Sequence, residues 1–430
     1  MDLKETLDNI KGIDERFASL IIRYVDSYIN MSSNKTQVAS NLIQQIKKNI
    51  TEITFEKLDG ISGCVSAMGS TITLDSNLPD WAIDNTFLHE FTHQISRNEY
   101  TVAYSDGTGM VVQPNCGLKV GISENLDFSI GIRLENWETD GNNYAFNRGI
   151  VLFDEWITEW LANKMSGFTN AELKQDENGF FRKKTCHGYD GSNVMNMLEL
   201  VYGSENVANI ITGMDLTEEE RRGVIPIKEF HKLNEMIDSE TVLSPEELEI
   251  FKNLQPPYMK TPNITGLLVY YISEYQKQDT LEDHNVYIQK MINLLSRTYS
   301  IEFKNRIVNC NNAEDLKQIY NELSIIQNSM IWNENQEVLN SLESYRLYDE
   351  MRNLFINKAN RLNISNEQFS SLYATPSQLL EKFKVDEAKC MTQRTHNSKT
   401  NNQLSQKNEE LHNMLLEKET NSEINKEKNK

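Results

Sequence analysis

Apolar side chains recur every three to four residues in RFASLIIRYVDSYI (16–29) and again in VASNLIQQIKKNI (38–50). That period predicts two helices within residues 1–50, parted by the polar stretch NMSSNKT. The period then shortens. TEITFEK (51–57) alternates as a strand does, and GISGCVSAMGSTITLDSNL (60–78) reads as a glycine-rich hairpin ending in the strand STITLD (70–75). Pro79 and Asp80 suit the first turn of a helix running to about Arg97. Residues 98–148, rich in Gly, Asn and Asp, predict loops and short hairpins. A second strong helix covers 150–166, with Gly167 as its stop. A third follows HGYDGS and runs through NVMNMLELVYG, and from about 225 onward helices succeed one another around the break QPPYMKTPN.

Glycine placement sharpens these boundaries. Seventeen of the nineteen glycines lie between Gly60 and Gly223, and none follows Gly266. Because glycine supplies turns and hairpins, the middle of the chain is expected to mix strand and helix and the remainder to be almost wholly helical. The expected organisation is N-terminal helices over 1–50, an α+β domain over 51–224 and an all-helical region over 225–390. Residues 391–430 contain no aromatic residue, Gly or Pro and few apolar residues, so a disordered polar tail is expected there. Leu404, Leu411 and Leu415 leave room for a short coiled segment.

Charge and cysteine usage narrow the partners and the compartment. A net charge of −20 disfavours nucleic acid and anionic membrane surfaces as main partners. No apolar run is long enough to span a bilayer, and the charged N-terminus lacks the apolar core of a signal peptide. Five scattered cysteines without a CxxC pair fit reduced thiols in a cytoplasmic protein. Cys186, next to His187, reads as a core or loop residue. The abundance of Asn, Lys, Ile and Glu fits a bacterial source with low G+C content.

The chemistry starts at HEFTH, residues 89–93, an HExxH pattern. On a helix, His89 and His93 lie on one face a turn apart and can bind one ion through neutral imidazoles. Glu90 is about 100° round the helix from His89, too far to be an equal ligand but placed to act as general base on a water the metal activates. The plain alternative is an amphipathic surface helix that happens to carry two histidines. Leu88, Phe91 and Ile95 favour the site, since they form an apolar backing opposite Glu90.

A tetrahedral ion needs a third protein ligand. The HExxHxxGxxH form is excluded, because the chain has Ser96 and Glu99 where Gly and His would stand. The best source is FDEWITEW (153–160), where Glu155 and Glu159 lie one turn apart on a helix whose remaining surface is mostly apolar. Carboxylates on such a helix are unfavourable to bury unpaired. Read alone the pair fits a thin solvated stripe equally well; beside an HExxH helix it fits Glu155 as ligand and Glu159 as acceptor for the free ring N–H of a ligand histidine.

HEFTH followed by Asp154, Glu155, Thr158 and Glu159 resembles the gluzincin group of zinc metallopeptidases, of which thermolysin-like enzymes are the familiar members. It is closest to an Asn-Glu-Gly-x-Thr-Glu form found in bacterial zincins, departing from it by Asp154 for Asn and Trp156 for Gly. Trp156 is expected to narrow the cleft. The resemblance covers about residues 55–210. It implies a zincin-like metallopeptidase domain, one zinc ion and a peptide or protein substrate. It also implies an edge strand that pairs with an extended peptide, for which STITLD is in the right place. Family members stabilise the oxyanion with a Tyr or His, which points to Tyr189 with His187 as the alternative. Asp106 and Glu99 are weaker candidates for ligands, His231 reads as a helix-surface histidine, and His284, His396 and His412 have no partner pattern.

The leading expectation is therefore a zinc-dependent peptidase with Glu90 as base. A non-catalytic binding or scaffold protein on a zincin fold is the alternative, since the helical region after 225 offers a surface for a protein partner or for self-association. A toxin-like protease acting on one protein ranks third, because no translocation segment is visible.

Overall fold

The computed structural model describes residues 3–65, 69–103, 110–116, 119–122, 126–129, 141–166, 171–185, 191–221, 229, 232–233, 235–237, 241–253 and 263–389. The expected tail, 391–430, and its three leucines lie outside them.

The chain opens with α1 (Leu3–Asp8), α2 (Glu15–Met31) and α3 (Lys35–Asn49). Asp14 and Asn34 start the two longer helices by accepting from the backbone N–H groups of Phe17 and Gln37. Strands β1 (Glu52–Glu56), β2 (Gly63–Val65) and β3 (Thr71–Asp75) then form a small sheet in the order β1-β3-β2. The pairing is parallel between β1 and β3 and antiparallel between β3 and β2. This corrects one expectation. The strand inside STITLD is central and hydrogen-bonded on both sides, so it has no free edge; the edge facing away from β1 is the three-residue strand β2. Ile72 and Leu74 are fully buried, which is what a central strand under a helix requires.

That helix is α4 (Asp80–Ile95), which packs on β2 and β3 with α2 and α3 behind it. Its aromatic face meets α2: Phe87 lies 4.4 Å from Phe17 between ring centroids, and Phe91 lies 5.1 Å from Tyr24. Every residue from Asn85 to Ile95 is buried. The helix is thus enclosed on all sides, and its polar face meets a second helix, α5 (Gly141–Ser166). Between α4 and α5 runs an antiparallel sheet of β4 (Arg97–Ala103), β5 (Met110–Cys116), β6 (Lys119–Ile122) and β7 (Leu126–Ser129), in the expected hairpin region. The α5 helix begins nine residues before the expected start at 150.

After α5 comes a hairpin the apolar pattern does not announce, β8 (Ala171–Gln175) and β9 (Phe180–Thr185). Its turn is set by Asp176, whose Oδ1 accepts from the backbone N–H groups of Asn178 and Phe180, and by Gly179 at φ +78°. Helices α6 (Ser192–Tyr202), α7 (Ser204–Thr212) and α8 (Glu218–Arg221) follow.

The later region is built from α9 (Pro245–Asn253), α10 (Ile264–Gln276), α11 (Leu281–Asn309), α12 (Ala313–Ser329), α13 (Gln336–Ser341) and α14 (Glu343–Arg361), with a further helix over 376–389. It is not purely helical: β10 (Trp332–Asn333) pairs with β9. That contact covers the outer backbone edge of β9 and buries Trp332. These helices do not stand apart, since α10 packs along α5, and one continuous core runs from Leu7 to Phe383. The whole is mixed α+β with small sheets and no barrel among the described residues. No described helix is long and apolar enough to cross a membrane.

Candidate metal centre

The site forms where the polar faces of α4 and α5 meet. His89 and His93 stand one turn apart on α4, their ring centroids 4.9 Å apart and the rings inclined at 79°. Their Nε2 atoms converge on one oxygen, Glu155 Oε2, at 3.0 Å and 3.4 Å. The donor atoms of the three side chains all lie within 4.8 Å of one another. In a tetrahedral site with metal–ligand distances of about 2.05 Å, two ligand atoms are separated by about 3.3 Å. The two measured separations bracket that value, so His89, His93 and Glu155 could hold a metal ion.

The opposite ring nitrogens face carboxylates. His89 Nδ1 lies 3.1 Å from Glu159 Oε2, and His93 Nδ1 lies 3.6 Å from Asp154 Oδ2. With Nδ1–H directed at a carboxylate, the proton a metal would displace is the one on Nε2, and its loss gives the tautomer a metal requires. Burial pushes the His89 imidazole down, and the Glu155 and Glu159 carboxylates override it and raise His89 from 6.5 to about 9. The same field that holds a proton on His89 favours a cation between the three donors.

Glu90 points from α4 toward the sheet. A Cβ added to Gly63 on β2 would lie 3.0 Å from Glu90 Cγ and 3.2 Å from Glu90 Oε1. The Glu90 carboxylate therefore sits against the edge strand. Its charge is felt one residue along, where burial and then Glu90 and Glu56 push the Cys64 thiol up.

Trp156 corrects a second expectation. It does not narrow a cleft: it is 1% exposed and drives into the core, where its ring meets Tyr275 of α10 at 5.6 Å between centroids. Gly191 makes room for it, since a Cβ there would lie 1.8 Å from Trp156 Cδ2. The Trp in place of Gly thus braces the helix that carries Glu155 from behind.

The structure brings together His89, His93, Glu155 and Glu159, with Glu90 beside them on α4 and its carboxylate against Gly63 of β2. Tyr189 and His187 lie outside the described residues, as do Asp106, His231, His396 and His412. Glu99 lies on β4, with its side chain outside the description, and His284 stacks on Tyr275 at 4.1 Å between centroids. Sequence reasoning gave no role to Asp154, although it is fully buried beside His93, and it missed Asn85 and Asn163, which donate to Glu159 Oε1 at 3.2 Å and 3.1 Å. The signal was present. Asn85, His89 and His93 form one ladder at four-residue spacing on α4, and Glu155, Glu159 and Asn163 form another on α5.

Compared with known protein families, with curated proteins and with solved structures, the chain finds no match.

Proposed function

We propose that this protein is a zinc-dependent peptidase. The observation that carries the reading is the convergence of two Nε2 atoms on Glu155 Oε2 near the edge length of a metal tetrahedron, with both Nδ1 atoms turned to carboxylates. Two imidazoles and one carboxylate form a donor set suited to zinc. Bound there, zinc supplies Lewis acidity, polarising a peptide carbonyl and lowering the pKa of a water.

The remaining work belongs to the chain. His89, His93 and Glu155 would hold the ion, Glu159 orients the His89 imidazole and Asp154 faces that of His93. Glu90 takes the proton from the attacking water and delivers it to the leaving amine. The edge strand β2, which touches Glu90 through Gly63, offers backbone groups to an extended peptide. Tyr189, with His187 as the alternative, supports the oxyanion.

The test is metal content of the purified protein together with cleavage of a peptide library by wild type and Glu90→Gln. The expected result is one zinc per chain and cleavage that the substitution removes. Protein without zinc, or cleavage indifferent to Glu90→Gln, overturns the reading.

A further inference from the structure

Glu159 stands between the two site helices, and two amides converge on it. Its Oε2 faces His89 Nδ1 at 3.1 Å, while its Oε1 accepts from Asn85 Nδ2 at 3.2 Å and Asn163 Nδ2 at 3.1 Å. Asn85 lies one turn before His89 on α4, and Asn163 one turn after Glu159 on α5. Glu159 is 3% exposed and Asn85 is 1% exposed. The amide oxygens of both asparagines are buried and make no hydrogen bond with any described residue. Burying an amide carbonyl without a partner is unfavourable, and an apolar side chain of similar size would pack without that penalty. What the two amides give in return is their donation to Glu159.

That donation has a geometric consequence. A carboxylate held through one oxygen alone can turn about its terminal bond and offer His89 either oxygen or neither. With Oε1 held from both helices, the carboxylate plane is fixed and Oε2 stays on His89 Nδ1. This holds the Nδ1–H tautomer and aims the Nε2 lone pair at the point shared with His93 and Glu155. Because Asn85 and His89 come from α4 and Glu159 from α5, those two contacts also key the spacing of the helices that carry the ligands, while Asn163 steadies Glu159 from its own helix.

We infer that Asn85 and Asn163 are positioning residues for the metal centre: a pair of amide donors that locks Glu159, and through it His89, in the metal-binding orientation and so sets metal affinity. The inference rests on reading His89, His93 and Glu155 as a zinc site.

The test uses the full chain. Zn2+ affinity is measured by competition with a chromophoric chelator, and ligand geometry by the visible absorption of bound Co2+. The variants are Asn85→Asp, Asn163→Asp and Asn163→Gln. Aspartate keeps the shape, lacks the donor and sets an acceptor against Glu159. Each Asp variant is expected to weaken Zn2+ binding about tenfold to a hundredfold and to alter the Co2+ spectrum. Asn163→Gln keeps the donor and is expected to retain most of the affinity. Asn163 is only partly buried, so its variants guard against a failure to fold at Asn85. A purely structural role would lower the melting temperature of the metal-free protein and leave Zn2+ affinity and the Co2+ spectrum unchanged; that result overturns the inference, as does equal loss in Asn163→Gln and Asn163→Asp. Both failures leave the zinc reading standing, whereas wild-type protein that takes up no Zn2+ removes that reading and the inference with it.

Discussion

His89 carries two opposed demands, and they predict a pH dependence with a definite sign. Its imidazole is raised to about 9 in the folded chain against 6.5 ordinarily, because Glu155 and Glu159 outweigh its burial. A raised histidine stabilises the metal-free fold fully below its unfolded value, and that contribution fades as pH rises through the folded value. The stability difference between metal-free wild type and His89→Ala is therefore expected to shrink from pH 6.5 to 9, followed by denaturant unfolding. Metal must displace the same proton, so Zn2+ affinity should rise over this window and binding should release protons at pH 7. Calorimetry in buffers of different ionisation enthalpy reads that release; its absence would contradict the account. Glu90 and Glu155 should separate by function. Glu90→Gln is expected to keep zinc stoichiometry while cutting peptide cleavage about 10²–10⁴-fold, and Glu155→Ala to lose the zinc itself.

At the scale of elements, two glycines test how tightly the site is braced. Gly191 has ordinary helical dihedrals and exists for space: its absent Cβ would overlap the Trp156 ring, with Cδ2 at 1.8 Å and Cε3 at 2.1 Å. That ring is enclosed between α6 and α10 and has nowhere to go. Gly191→Ala is expected to destabilise the fold by about 3 kcal/mol, seen as a lower denaturant midpoint. Gly63 is different. A Cβ there would meet side-chain atoms, Thr86 Cγ2 at 2.9 Å and Glu90 Cγ at 3.0 Å, which can move a few tenths of an ångström. Gly63→Ala is expected to cost about 1 kcal/mol in stability and to leave zinc bound. Cleavage should fall because Glu90 is displaced, and unchanged kcat would show that the β2–Glu90 contact is idle.

Across the whole molecule, the helices after 225 form the back wall of the metal centre. Tyr275 of α10 lies against Trp156, the residue after Glu155, and α10 runs along α5. β10 closes the edge of β9. A chain cut at residue 224 is therefore expected to lose cooperative unfolding and most of its zinc affinity, measured by near-ultraviolet circular dichroism and zinc titration. If residues 1–224 unfold in one sharp transition and bind zinc as the full chain does, the helical region is an appendage.

Local periodicity determined much of this protein. The i,i+4 spacing of His89 and His93, the carboxylates of FDEWITEW and the glycine distribution named the two site helices, the first sheet's strands and an α+β plan, because helical and strand repeats are properties of short stretches of chain. Spacing along the chain could not decide which strand forms the edge, since β3 becomes central only when β1 and β2 close on both its sides. Nor could it decide where Trp156 points: the same side chain could line a cleft or fill a core, and the helix lying against it, more than a hundred residues away in sequence, chose the core. The pairing of His93 with Asp154 and of Glu159 with His89 and Asn85 likewise depends on the distance and rotation between α4 and α5. Tertiary packing sets those two quantities, because they follow from which faces of the helices the rest of the core leaves to meet.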